Sequence, residues 1–224
     1  MKRLIISDTH IGSQFCREQQ LLDLLHTKEY DQLILNGDII EFLKIPTFTE
    51  KAAKLLQSID YKKEIIYVIG NHDKALEGFI GSKFLNIKFC DIYEFEESGR
   101  KFRVEHGDQY ENGVLHYRGL MKFISLFQDI FERYFNFNLG KWFTNLRLKK
   151  RKLKRVWDIV DQNSDVDVMI IGHMHIPEVL IWIDGDENLK TYVNTGDWVQ
   201  HATYVEIDDG VIRLKNFLKE YKIS

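Results

Sequence analysis

Short apolar runs that end in polar turns are the feature of this sequence that most constrains its fold. Three of them fall in the first third of the chain, at residues 3–6, 32–35 and 65–69, and helix-like segments at 18–29 and 49–58 separate them. Continuous apolar runs of this length predict strands that are covered on both faces. Strands that alternate with helices predict an α/β fold with parallel strand pairs.

The second half of the chain returns to the same pattern after an interruption. A hairpin is predicted within 87–105, strands at 166–171 and 191–193, and a closing hairpin at 204–214. Between them, residues 112–163 carry apolar residues at three-four spacing and then a second helical pattern at 141–160, so we expect a helical-hairpin insertion there. We therefore predict one domain over residues 1–224 with this insertion inside it.

Composition places the chain among ordinary water-soluble proteins. The formal net charge of −3 argues against nucleic-acid binding by the whole surface. Cys16 and Cys90 are too few for a disulfide framework, which favours a reducing compartment. The apolar run after the N-terminal basic residues is too short for a signal peptide, and no stretch approaches the ~20 apolar residues of a membrane-spanning helix. We expect a cytoplasmic protein that can still touch a membrane.

Polar side chains follow five of the predicted strands, at the point where each strand ends. Because open α/β sheets place ligands at the carboxyl ends of their strands, these side chains can converge in space. Seven of them are potential metal ligands: Asp8, His10, Asp38, Asn71, His106, His173 and His175. Imidazole, carboxylate and amide donors suit manganese, iron or zinc. Seven donors are too many for one ion and suit two ions, about 3.5–4 Å apart, that share a carboxylate.

Five motifs in this order resemble those of the calcineurin-like metallophosphoesterases. They are Asp8-x-His10, Gly37-Asp38, Gly70-Asn71-His72-Asp73, His106-Gly107-Asp108 and Gly172-His173-x-His175. The resemblance covers almost the whole chain apart from the insertion. It implies a sandwich of two mixed β-sheets flanked by helices, with two divalent metal ions at the strand ends. Manganese is the first expectation for these ions, with iron, zinc or nickel as alternatives.

The same resemblance implies a role for each site residue. One ion is expected on Asp8, His10 and His175 and the other on Asn71, His106 and His173, while Asp38 bridges them. The expected catalytic residues are His72, which lies over the substrate phosphate and protonates the leaving oxygen, and Asp73, which orients His72. The expected nucleophile is a hydroxide that bridges the two metals.

Within this superfamily, the chain looks most like the UDP-2,3-diacylglucosamine diphosphatase branch of lipid A biosynthesis. The features that carry this likeness are Glu41 three residues after Asp38, the insertion after the His106-Gly107-Asp108 motif, and the final motif, Asn-Thr-Gly-Asp-Trp at 194–198. The insertion is then a cap rich in aromatic side chains. The candidate substrate contacts are Asn71, Tyr117, Arg118, Arg147 and Arg155. The basic run 147–155 suits a diphosphate or the anionic surface of a membrane, to which the protein would bind peripherally.

Other interpretations stay open. The aromatic residues of the insertion can simply pack it onto the body of the protein. The basic run can instead follow a nucleic-acid backbone, which makes a nuclease or nucleotide phosphodiesterase the alternative enzyme. A non-catalytic scaffold would keep the fold and use the basic run for docking. His26 and His201 are interpreted as structural, and His116, at the start of the insertion, can touch substrate or not. The oligomeric state is not predicted.

Overall fold

The fold consists of two mixed β-sheets with helices packed on one of them. The structure is a computed structural model and describes residues 1–42, 50–110 and 152–220; side chains at 51 and 152–155 are outside the description. The chain divides into two compact units, of which the described residues are 1–42, 50–108 and 166–220 in the first and 109–110 and 152–165 in the second. The first unit holds both sheets.

The first sheet has seven strands built around a parallel centre. Its strands are β1 (Arg3–Ile6), β2 (Gln32–Asn36), β3 (Glu64–Val68), β4 (Lys83–Phe84), β5 (Ile87–Cys90), β11 (Thr203–Asp208) and β12 (Val211–Asn216). Their order is β12-β11-β1-β2-β3-β5-β4. The central strands β1, β2, β3 and β5 are parallel to one another, whereas β11, β12 and β4 run antiparallel to their neighbours. The parallel centre brings the ends of β1, β2 and β3 to one edge.

The second sheet has five strands and is mixed as well. Its strands are β6 (Ile92–Glu97), β7 (Arg100–Glu105), β8 (Val168–Ile171), β9 (Glu178–Ile183) and β10 (Leu189–Asn194), in the order β6-β7-β8-β10-β9. The pairs β7–β8 and β8–β10 are parallel, and the two outer pairs are antiparallel. The prediction of two mixed sheets flanked by helices is confirmed. Strand β9 was not predicted.

Alternation along the central strands divides the core into two layers. Ile5, Ile34 and Ile66 point towards the second sheet and pack with Val104 and Ile170. The residues on either side of them in the sequence point the other way and pack on the helices α1 (Glu18–Thr27) and α2 (Glu50–Ser58), through Leu21, Leu24, Leu25, Ala52 and Leu55. Both faces of these strands are therefore covered, which explains their continuous apolar sequence.

The remaining described elements are short. Helical turns of the 3-10 type span Lys74–Phe79 and Asp108–Tyr110, and a short helix, α4, spans Phe217–Glu220. In the second unit, helix α3 (Lys152–Gln162) buries Val156 and Ile159, and Asn163 beyond its end donates a hydrogen bond to the hydroxyl of Tyr110 at 2.6 Å. Within the described residues, we find no helix long and apolar enough to cross a membrane.

The predicted cap stays a prediction. Most of the segment 112–163, including the aromatic helix and the basic run up to residue 151, lies outside the described residues. Helix α3 overlaps the last part of the second predicted helix and continues it to Gln162.

Candidate metal centre

The ends of the parallel strands supply all seven of the predicted metal ligands. The loops after β1 and β2 are joined by backbone hydrogen bonds, from Asp8 N to Gly37 O at 3.0 Å and from His10 N to Asp38 O at 3.0 Å. Five site residues have positive φ angles between 47° and 59°: Asp8, His10, Asp38, His173 and His175. Non-glycine residues rarely adopt this conformation, and it clusters at functional sites. The loops are therefore shaped to present these side chains.

Two motif glycines permit the close approach of neighbouring site residues. A Cβ atom on Gly37 would collide with the ring of His106, and a Cβ atom on Gly172 would lie 2.5 Å from Oδ2 of Asp8. Gly37 also has a φ of +76°, which favours glycine. Both glycines lie where a loop of one sheet meets a site residue of the other sheet.

The first ligand group contains Asp8, His10 and His175, whose donor atoms lie within 4.8 Å of one another. Nε2 of His175 is 3.1 Å from Oδ1 of Asp8 and 3.4 Å from Nε2 of His10. The backbone N–H of His173 donates to the Asp8 carboxylate and so fixes it. Three donors thus point at one small volume.

The second group contains Asp38, His106 and His173, also within 4.8 Å. Nε2 of His106 is 3.3 Å from Oδ2 of Asp38 and 3.2 Å from Oδ1 of Asn71. The same Asp38 oxygen is 4.0 Å from Nε2 of His10 in the first group. Asp38 therefore stands between the two groups, and the structure brings all seven predicted ligands together.

Each ligand group draws on both sheets. In the first group, Asp8 and His10 follow β1 of the seven-stranded sheet, while His175 follows β8 of the five-stranded sheet. In the second group, Asp38 follows β2, while His106 and His173 follow β7 and β8. The candidate metal centre therefore lies between strand ends of the two sheets, those of β1 and β2 on one side and of β7 and β8 on the other.

The electrostatics of the cluster fit divalent cations. Burial would raise the pKa of Asp38, but His106 and His72 hold that pKa well below its ordinary value. Burial would lower the pKa of His106, but Asp38 holds it well above its ordinary value. Buried carboxylates that face several imidazoles require positive charge between them, which protons or metal ions can supply. With its mixed oxygen and nitrogen donors, the cluster fits two ions of the predicted kind.

His72 is held by a carboxylate other than the one expected. Its Nδ1 lies 2.8 and 2.9 Å from the two carboxylate oxygens of Glu41, which is also 3.1 Å from Nδ1 of His10. Burial alone would lower the pKa of His72, but Asp38 and Glu41 outweigh it and raise that pKa. Nε2 of His72 faces Oδ2 of Asp38 at 3.9 Å. The histidine–carboxylate pair of this site is therefore His72–Glu41.

The prediction that Asp73 orients His72 was wrong. The Asp73 carboxylate turns back towards the strand ends and accepts hydrogen bonds from Gly70 N at 2.6 Å, Ile39 N at 3.0 Å and the Tyr67 hydroxyl at 2.8 Å. It satisfies the donors of two loops instead of the imidazole. Burial and the charge of Asp38 raise the pKa of Asp73 to about 6. The sequence did offer a signal for Glu41, three residues after Asp38.

A second carboxylate that was given no role lies behind the first ligand group. Asp197 is fully buried, and its Oδ2 lies 2.6 Å from Nδ1 of His201 and 3.9 Å from Nδ1 of His175. Burial would raise the pKa of Asp197, but His201 and His175 hold it at about 2. The signal in the sequence was its place in the turn 194–198.

The predicted substrate contacts can be placed only in part. Asn71 lies at the site, whereas Tyr117, Arg118 and Arg147 fall outside the described residues, as does His116, for which no role was predicted. Arg155 belongs to helix α3, but its side chain is not described. The roles predicted for these residues stay predictions.

Comparisons with known proteins were made by family, sequence and structure. The family model of the calcineurin-like phosphoesterases matches residues 1–177, a range that contains all seven predicted ligands. A search of curated protein sequences found no match.

Among solved structures, the phosphoesterase Yfce from E. coli is 16% identical, with a TM-score of 0.52, and the match covers 98% of this chain and 94% of that chain. A novel archaeal phosphodiesterase is 16% identical, with a TM-score of 0.48 and coverage of 96% and 99%. The vacuolar protein sorting 29 of Cryptosporidium parvum is 14% identical, with a TM-score of 0.49 and coverage of 96% and 95%. At 16% identity, the likeness to Yfce supports the fold alone.

Proposed function

This chain belongs to the calcineurin-like phosphoesterases, a family of hydrolases, and we propose that it cleaves a phosphoester or pyrophosphate bond with two divalent metal ions. The observation that carries the proposal is the placement of Asp38 between two groups of ligand atoms. One ion would be held by Asp8, His10 and His175. The other would be held by Asn71, His106 and His173, with Asp38 shared between them.

The metal ions would neutralise the phosphoryl oxygens and lower the pKa of an attacking water, which is the chemistry that two-metal sites supply. The protein contributes a proton donor at the same place. Nδ1 of His72 is engaged by Glu41, so Nε2 is the nitrogen left to face the site. Asp38 and Glu41 raise the pKa of His72, which favours the protonated ring that a proton donor needs. We assign to Nε2 the delivery of that proton to the leaving oxygen.

The best-supported substrate is a nucleotide diphosphate linked to a lipid, as in UDP-2,3-diacylglucosamine. Support comes from the position of Glu41, the insertion after His106-Gly107-Asp108 and the motif at 194–198. All three resemble features of the diphosphatase of lipid A biosynthesis. The aromatic and basic residues of 112–163 suit acyl chains and a diphosphate. We also propose that the metal is manganese. The protein would be cytoplasmic and would bind the membrane peripherally.

A nuclease or nucleotide phosphodiesterase is the second candidate, and one observation favours it. His72 stands where members of the diphosphatase branch commonly carry arginine, and histidine at this position is the pattern of the wider superfamily. The basic run 147–155 would then follow a nucleic-acid backbone. Binding to single-stranded DNA that weakens steeply with salt would support this candidate.

Hydrolysis of two substrates in parallel tests the proposal. We would incubate the protein with manganese and either UDP-2,3-diacylglucosamine or bis-p-nitrophenyl phosphate, with Asp38→Asn as the control for site-dependent turnover. Faster release of uridine monophosphate and lipid monophosphate than of nitrophenol supports the diphosphatase. Cleavage of the generic diester alone supports the second candidate. If Asp38→Asn cleaves both substrates as fast as the wild type does, the proposed site is wrong.

A further inference from the structure

The Asp197 carboxylate lies between two histidine rings, one of which belongs to the first ligand group. Nε2 of His175 faces Asp8 at 3.1 Å, so the opposite ring nitrogen, Nδ1, faces Oδ2 of Asp197 at 3.9 Å. That distance exceeds a hydrogen bond, and the contact is therefore electrostatic. On its other side, the same oxygen is 2.6 Å from Nδ1 of His201.

The two oxygens of Asp197 have separate tasks. Oδ1 accepts backbone N–H groups of its own turn, from Val199 at 2.8 Å, from His201 at 3.3 Å and from Gln200. A carboxylate that only closed a turn would need no more than this oxygen. Oδ2 is instead directed at the two imidazoles and is fully buried with the rest of the residue.

The turn that carries Asp197 is tied to the body of the sandwich. Trp198 N donates to Asp8 O at 3.1 Å, which connects the turn to a ligand of the same group. Phe217 N donates to Ala202 O at 2.9 Å, and the side-chain amide of Asn216 donates to His201 O at 2.7 Å. The carboxylate is thus held in a fixed position relative to His175.

We infer that Asp197 is a positioning residue that keeps His175 in the form able to bind metal through Nε2. A negative oxygen behind Nδ1 favours the tautomer with its proton on Nδ1 and leaves the Nε2 lone pair free. His201 holds that oxygen in place from the solvent side. The inference rests on the proposed two-metal function and adds a residue that sets the affinity of one of the two sites.

Asp197→Asn tests this with little change in shape. The retained Oδ1 can still accept the backbone N–H groups, but an uncharged NH2 group with a positive edge replaces the negative Oδ2 behind Nδ1 of His175. Without that negative charge, the tautomer with its proton on Nε2, which cannot bind the ion, is favoured more than in the wild type. We expect the affinity for one manganese ion to fall about 10- to 100-fold while the other ion binds as in the wild type.

Three further variants define the result, with manganese binding measured by equilibrium dialysis and folding by thermal denaturation. Asp197→Ser keeps an oxygen for the turn and removes Oδ2, so we expect the same selective loss. His201→Asn leaves Oδ2 of Asp197 in place and puts a side-chain N–H donor where Nδ1 of His201 was, so we expect manganese to bind as in the wild type. Asp184→Asn is the matched control, because Asp184 also accepts backbone N–H groups of its own turn, from Asp186 and Asn188, at an exposed site.

The outcomes separate this inference from the proposed function. If the wild type binds two ions and a folded Asp197→Asn or Asp197→Ser variant binds both equally well, the inference is wrong and the proposed function stands. Equal weakening of both sites also overturns the inference, because it indicates a general structural role. If the wild type does not bind two ions, the proposed function fails and the inference fails with it.

Discussion

The Glu41 carboxylate holds the imidazole of His72, the residue that we propose as the proton donor. Because both Glu41 oxygens lie within hydrogen-bond distance of Nδ1, the ring orientation is fixed and the other nitrogen faces the site. Asp73, the acid next to His72 in the sequence, instead holds the loops together through Gly70, Ile39 and Tyr67. Of the two acids near His72, Glu41 therefore holds the imidazole, whereas Asp73 holds the backbone of the loops.

Glu41→Gln should lower kcat by about 100-fold or more, because general acid catalysis contributes roughly that much. The measurement is kcat at saturating manganese, since Glu41 also contacts His10. His72→Ala should cause a similar loss. Because Glu41 is proposed to act through His72, the double variant should be little worse than His72→Ala alone. Losses that multiply in the double variant would show that the two residues act in separate steps.

At the scale of elements, the strand ends are arranged so that loops of the two sheets nearly touch. Gly172, at the end of β8, lies against Asp8 and Ser7, which follow β1. Any side chain at this position must displace the Asp8 carboxylate or the Ser7 side chain. The placement of a predicted metal ligand therefore depends on a residue without a side chain.

Gly172→Ala should weaken manganese binding about tenfold or more and lower the melting temperature, because the new methyl group would lie 2.5 Å from Oδ2 of Asp8. Gly78→Ala is the matched control, since a Cβ atom there meets no atom within 4 Å. Metal titration and thermal denaturation of both variants check this. Wild-type binding by Gly172→Ala would contradict the packing described at the strand ends.

Sequence patterns predict some elements better than others, for physical reasons. Strands β1, β2 and β8 are buried on both faces, so their apolar runs are unmistakable. Strand β9 lies at a sheet edge with Ile181 and Ile183 exposed, so its apolar run does not mark a strand that is covered on both faces. At the site, motif spacing predicted which residues meet. It could not predict which way the Asp73 carboxylate turns, because that depends on the N–H groups of two loops.

For the whole molecule, the proposed metal site would couple metal binding to protonation. Burial alone would lower the pKa of His175, but Asp8 and the carboxylates behind it raise that pKa to about 9. Below that pH the ring carries a proton that an incoming metal ion must displace. A metal ion bound as proposed would therefore compete with a proton for the same nitrogen at neutral pH.

Manganese affinity should rise as the pH increases from 6 to 8, by about tenfold per pH unit for each proton displaced. The sign follows from the raised pKa of His175, since deprotonation with rising pH frees its Nε2. Isothermal titration calorimetry in buffers with different ionisation enthalpies would report both the affinity and the number of protons released. Affinity that is independent of pH, with no proton release, would contradict the competition.

Because both ligand groups draw on both sheets, the centre has a consequence for how the protein matures. His10 and His175, whose Nε2 atoms lie 3.4 Å apart, are separated by 165 residues of sequence. No partly synthesised chain that lacks β8 can offer a complete group to an ion. Under the proposed function, an ion would therefore meet a complete first group only after the chain has been made through His175 and strands from both sheets have assembled.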